Sequence, residues 1–218
     1  MKNHDGKFAS FLEQTWNTLC SRRPELEECR EPVITTVETL CSSFAAGGKL
    51  LLCGNGGSCA DAEHISGELL KGFLRKRELS PEARAAFPAG EETLADGLQN
   101  GLPALVLHSH TALMTAFAND VDPENIYAQM TYVLGQSSDV LLGISTGGNA
   151  ENIRRAFIAA RARNMTTILM TGSKNGRCRQ FADLVIAAPE TETFLIQECH
   201  LPIYHFICAA VEEYFYGD

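Results

Sequence analysis

Five short apolar runs constrain this chain more than any other feature. "KLLLC" (49–53), "PALVL" (103–107), "DVLLGI" (139–144), "TTILMT" (166–171) and "DLVIAA" (183–188) are nearly continuous in hydrophobicity, the pattern of strands covered on both faces. Helix-sized segments lie between most of them, including "AENIRRAFIAARARN" (150–164). Strands alternating with helices imply right-handed crossovers, so the expected fold is α/β, a doubly wound five-stranded parallel sheet flanked by helices. Two helical patterns, "FASFLEQTWNTLC" and "ELEECREPVITTVETLCSSFAAGG", precede the first run and form an N-terminal arm over 1–47. Gly47 and Gly48 stop the second pattern, and Pro32 predicts a break near Arg30 and Glu31. After the last run, "TETFLIQECHLPIYHFICAAVEEYF" (191–215) reads as a long amphipathic helix. Its Pro202 predicts a kink, because it lacks an N–H and crowds the Glu198 carbonyl.

At 218 residues and 45% hydrophobic, the chain suits one domain, 1–218, with a continuous core. A formal net charge of −9 argues against nucleic acid or an anionic membrane as partner. The basic run "KGFLRKR" (71–77) reads as solvated surface. No apolar run approaches the roughly 20 residues that span a bilayer, so no membrane segment is expected. The N-terminus lacks an apolar signal segment and the eight cysteines contain no C-x-x-C spacing. Both point to reduced thiols in a cytoplasmic protein, most of them in the core.

Residues 73–101 are rich in Pro, Gly and charge, and are too long for an ordinary helix-to-strand connection. They predict an excursion with a short helix around "SPEARAAF", capped by Ser80 and started by Pro81. Such a segment is expected to meet chemistry only at a neighbouring subunit's site.

In an open parallel sheet, ligands bind beyond the carboxyl ends of the strands. Two loops placed there share a chemistry: "GNGGS" (54–58) and "STGGN" (145–149). Each combines glycines with hydroxyl donors and opens a helix, whose N-terminus favours an anion, most often phosphate. A tight turn is the plain alternative for either loop alone. The dinucleotide pattern fails because Cys59 stands where its last glycine belongs, and no P-loop pattern is present. His64 and Glu68 follow the first loop at a spacing of four, on nearly one helix face. They suit a surface hydrogen bond, proton transfer beside a carbonyl, or metal binding. The last helix adds Gln197, Glu198, His200 and His205.

Together, "LLCGNGGSCADAEHISGEL", "ALMTAFAND", "DVLLGISTGGNAENI" and "IQECHLPIYH" resemble the sugar isomerase (SIS) domain family, most closely its phosphoheptose isomerase branch. The likeness covers nearly the whole chain except the insertion at 75–100. It implies a flavodoxin-like SIS fold and a homotetramer with shared active sites. The implied reaction converts sedoheptulose 7-phosphate to D-glycero-D-manno-heptose 7-phosphate through an enediol. It also implies Glu68 as base, His205 as partner acid or base, and zinc on His64, Glu68, Gln197 and His205. Sugar phosphate would meet Asn55, Gly56, Gly57, Ser58, Asn119, Asp120, Ser145, Thr146, Gly147, Asn149 and Gln197. The chain departs from the family pattern at Gly147 and Ala150, where serines are usual, and at His110 and Phe194, where aspartates are usual. A non-catalytic SIS protein that binds the replication initiator, and a SIS domain for a different phosphosugar, are the competing readings.

Overall fold

The computed structural model describes residues 5–217. Helix α1 (Asp5–Arg22) leads through a 3-10 segment (Pro24–Cys29) into α2 (Arg30–Ala45). The change of helix type falls at Arg30, where the sequence places the break. Pro32 sits in the first turn of α2, where a missing N–H removes no helical bond.

The chain then alternates through β1 (Leu50–Gly54), α3 (Gly57–Leu70), α4 (Pro81–Ala85), α5 (Glu92–Gly97), β2 (Ala104–Val106), α6 (Thr111–Asp120) and α7 (Ile126–Leu134). It continues through β3 (Val140–Ile144), α8 (Glu151–Ala162), β4 (Thr166–Thr171), β5 (Leu184–Ala187) and α9 (Thr193–Tyr216). The strands form one parallel sheet in the order β2-β1-β3-β4-β5. The runs of β1, β3 and β4 became strands buried on both faces, whereas the edge strands β2 and β5 are only partly covered, with Leu105 43% exposed. Leu50, Leu52, Val140, Leu142, Ile168 and Met170 join the core under α2, α3 and α9, whereas Leu51, Cys53, Leu141 and Leu169 join the core under α7 and α8. Gly143 lets α8 approach: a Cβ there would lie 2.8 Å from both Ile153 and Phe157.

Strand order reverses between β1 and β3, and Gly54 pairs in register with Ile144. The loops after these strands therefore emerge side by side at the switch point, the usual place for a ligand in such sheets.

Three expectations change. Helix α9 is long and apolar enough, by length and composition, to cross a membrane. It is instead a core helix, packed on α1, α2 and α3 and buried along most of its length, and it runs unbroken through Pro202. The run 71–77 is not all solvated surface. Arg77 is fully buried, its Nε donating to Glu212 Oε1 at 2.8 Å. Glu212 also accepts from the backbone N–H groups of Phe73, Leu74 and Arg75.

The stem of the excursion, finally, folds back onto α3 of its own chain. Arg77 donates to the carbonyls of Leu69 and Glu68 at 2.7 and 3.2 Å, closing the last turn of α3. The buried Glu212 carboxylate draws the stem back over α3. Beyond the stem, Ser80 caps α4 by accepting from the Ala83 N–H, and Glu78 bridges to Gln99.

Candidate active site

The first loop is shaped by Gly56, whose φ of +58° and ψ of −123° favour glycine. A Cβ on Gly57 would fall 2.3 Å from the Gln197 side-chain amide. Gln197 thus lies over the first turn of α3, beside its unsatisfied N–H groups. Tyr127 donates to the Gly54 carbonyl at 2.8 Å and fixes the end of β1. Ser58 is buried at the loop's base.

In the second loop Gly148 has φ +65° and lies against Gly176, whose own Cβ would fall 2.3 Å from the Gly148 carbonyl oxygen. This close approach brings Arg177 to the loop. Its backbone N–H donates to Asn149 Oδ1 at 3.0 Å, and its guanidinium donates to the Asn149 carbonyl at 3.2 Å. Ser145 is buried and Thr146 half-buried, while Gly147 is exposed with open space where a side chain would stand. The two loops are joined by a reciprocal amide pair, Asn55 with Asn152, both bonds at 3.0 Å.

Farther along α3 stand the titratable groups. His64 Nε2 is 3.3 Å from Glu68 Oε1 and 3.4 Å from His205 Nε2. Lys71 Nζ is 3.1 Å from Glu68 Oε2. Tyr204 anchors the imidazole, its hydroxyl 3.0 Å from His64 Nδ1 and 3.5 Å from Asp61 Oδ1. With Tyr204 donating to Asp61, His64 Nδ1–H donates to Tyr204 and its Nε2 keeps a free lone pair toward Glu68 and His205. Burial pushes the Asp61 carboxyl up. Burial, and then neighbouring His64, hold the His205 imidazole below its usual range. Phe73 lies over His205, ring centroids 5.6 Å apart. A cleft of about 470 Å³ opens there between α1, Phe73 with Leu74, and α9.

The structure therefore gathers His64, Glu68 and His205, and separates them from Gln197. Gln197 sits at Gly57, seven residues or about 10 Å up α3 from His64. Glu198 is exposed, its carbonyl accepting from Arg23, and His200 lies in the core against the Thr171 carbonyl. Asn119 and Asp120 end α6, exposed and bonded to one another. His110 and Phe194 are exposed. Sequence reasoning missed Tyr204, Asp61, Phe73 and Arg177. Only Arg177 carried a signal, its place in a further loop after a strand.

An open parallel sheet with paired glycine loops at its switch point and a carboxylate–imidazole cluster farther along α3 is the arrangement of an α/β protein suited to a phosphorylated guest and acid–base chemistry. The chain belongs to the SIS domain family, whose model matches residues 95–207. It is 37% identical over 191 residues to a phosphoheptose isomerase of Burkholderia pseudomallei (strain 1710b), covering 86% of each protein. With the phosphoheptose isomerase of Roseiflexus sp. (strain RS-1) it shares 35% identity over 88% of this chain and 86% of that protein. Among solved structures, the phosphoheptose isomerase GmhA from Neisseria gonorrhoeae superposes with a TM-score of 0.72 at 26% identity, covering 96% of this chain and 98% of that one.

Proposed function

We propose that this chain is an aldose–ketose isomerase that converts sedoheptulose 7-phosphate to D-glycero-D-manno-heptose 7-phosphate through an enediol. The observation that carries the reading is the convergence of Glu68, His64 and His205 about two to three helical turns beyond the first glycine loop. Phosphate is held by the first turn of α3, Ser58, Ser145, Thr146 and Asn149. Gly56, Gly57 and Gly147 let it approach the backbone, and Gln197 and Asn55 border it. Arg177 supplies a cation beside the second loop, where Gly147 and Ala150 lack hydroxyls. An open-chain sugar lying along α3 brings its carbonyl end to Glu68.

Glu68 then removes the proton from C1 and returns it at C2. His205, held neutral by burial, can both donate and accept, and so moves the hydroxyl proton between O1 and O2. His64 stands 3.3 Å from Glu68 and 3.4 Å from His205, two edges of a tetrahedral N/O site with bonds of about 2.1 Å, and Glu68 and His205 would have to close on one another for the three to hold zinc. Zinc bound there would stabilise negative charge developing on the enediolate oxygens. Gln197 would need to move to join these ligands.

A homotetramer with shared sites fits α6, an apolar helix that ends at Asn119 and Asp120 and has no residue buried by the described chain. Eight free cysteines fit a reducing cytoplasm. A different phosphosugar is the second reading, favoured by the exposed phenyl ring of Phe194 at the start of α9, which offers sugar hydroxyls no polar partner.

The test is conversion of sedoheptulose 7-phosphate by chelator-treated wild type and Glu68→Gln, each with and without zinc. Turnover that depends on zinc and falls by about 10²- to 10⁴-fold in the variant is expected. Folded wild type that turns over another phosphosugar but not this one would establish the second reading.

A further inference from the structure

Helix α3 carries a second set of potential ligands that the isomerase chemistry does not use. Cys59 and Glu63, four residues apart, share one face of α3, about 140° around the helix from the His64–Glu68 face. His108 reaches them from the 3-10 turn Leu107–Ser109 that follows β2. The Cys59 Sγ, a Glu63 carboxylate oxygen and a His108 ring nitrogen all lie within 4.8 Å of one another. Glu63 Oε1 and His108 Nε2 are 3.2 Å apart, already close to the edge of a tetrahedral site with bonds of about 2.1 Å.

The His108 environment points the same way. Its side chain is only 6% exposed, and its buried Nδ1 has no hydrogen-bond partner among the described residues. A buried imidazole held by a single contact with an exposed carboxylate is under-satisfied. Neighbouring Leu107 is fully buried, and α3 is fixed by Ala62 and Ile65 in the core, so the backbones presenting the three groups are anchored.

We propose that Cys59, Glu63 and His108 form a second divalent-cation site, specific for zinc or a cation of similar softness. One thiolate, one imidazole and one carboxylate suit borderline-soft metals and exclude magnesium and calcium as preferred guests. Binding displaces the Cys59 thiol proton to solvent. Glu63 faces water, which leaves a fourth coordination position for a water molecule and makes the ion exchangeable. The ion would tie the turn after β2, and with it His110, to the helix that begins at the first glycine loop.

Cobalt(II) distinguishes this site from the other, because only Cys59 supplies sulfur. The full chain, treated with chelator under reducing conditions, is titrated with cobalt(II) and followed by thiolate-to-cobalt charge-transfer absorption. The band is expected in wild type and in the double variant His64→Ala/His205→Ala. It is expected to vanish in Cys59→Ser and to need about tenfold more cobalt or beyond in His108→Ala, with circular dichroism unchanged. Absence of the band from wild type, or its survival in Cys59→Ser, would overturn the proposal. Turnover enters none of these readings, so failure here is distinct from failure of the isomerase assignment.

Discussion

The two sides of α3 carry similar chemistry and differ in what stands behind it. On one side, His64 and Glu68 meet His205, and the cluster is held by Tyr204, Lys71 and Phe73, with Arg77 on the carbonyls of the last turn. On the other side, Cys59 and Glu63 meet His108 from well-anchored backbones, but the described residues give the buried His108 Nδ1 no hydrogen-bond partner. Both pairs have the same i, i+4 spacing. The difference teaches that spacing selects a face, whereas the partners behind a side chain decide whether it can be aimed well enough for proton transfer.

Removing the deepest support should have the largest effect. Arg77→Met leaves the Glu212 carboxylate buried without its cation and strips two α3 carbonyls of a donor. A loss of about 3–5 kcal/mol is expected from urea unfolding, as for breaking other buried pairs. A loss below 1 kcal/mol would mean that the stem does not brace the His64–Glu68 side.

Next in size is the pH response of α9, the helix that backs this side. His200 donates through Nε2 to the Thr171 carbonyl, and burial pushes its imidazole down to about 4. The neutral form is favoured in the fold, so its contribution is complete above the ordinary value of 6.5 and is lost as pH falls from there toward 4. The expected difference between pH 7 and pH 4 is about 3 kcal/mol. His200→Gln should flatten that part of the stability profile, and an unchanged slope would place the titration elsewhere.

The smallest effect separates the two sides most sharply. Tyr204→Phe removes the oxygen beside His64 Nδ1 and should lower zinc affinity or turnover by about 10- to 100-fold. The cobalt–thiolate band at Cys59 should not change. A band that weakens in parallel would show that the two sides of α3 are coupled.

Much of the fold was legible because strands buried on both faces write themselves as unbroken apolar runs. The glycine loops were legible for a related reason: Gly56 and Gly148 hold backbone angles that favour glycine, so local geometry leaves a local mark. What stayed hidden depends on partners far apart in the chain. Arg77 looks like the end of a surface basic run until it meets Glu212, 135 residues later. Tyr204 and Phe73 are ordinary aromatics in sequence, and only the packing of α9 and the stem brings them to His64 and His205. Cys59, Glu63 and His108 escaped because local cysteine spacing carries no trace of a ligand 45 residues beyond Glu63. The apolar length of α9 was underestimated because its few polar residues interrupt the run without lowering the average enough.

The reciprocal bond between Asn55 and Asn152 has a consequence for how a guest is admitted. It clasps the rims after β1 and β3 of the free protein, so a phosphoryl group bound as proposed would meet rims already joined. The phosphoryl end should then enter quickly, with little ordering of the protein and little entropy lost to it. Such rims meet the part that all phosphosugars have in common. Under the proposed function, discrimination among them falls to the other end of the guest, along α3 toward Glu68.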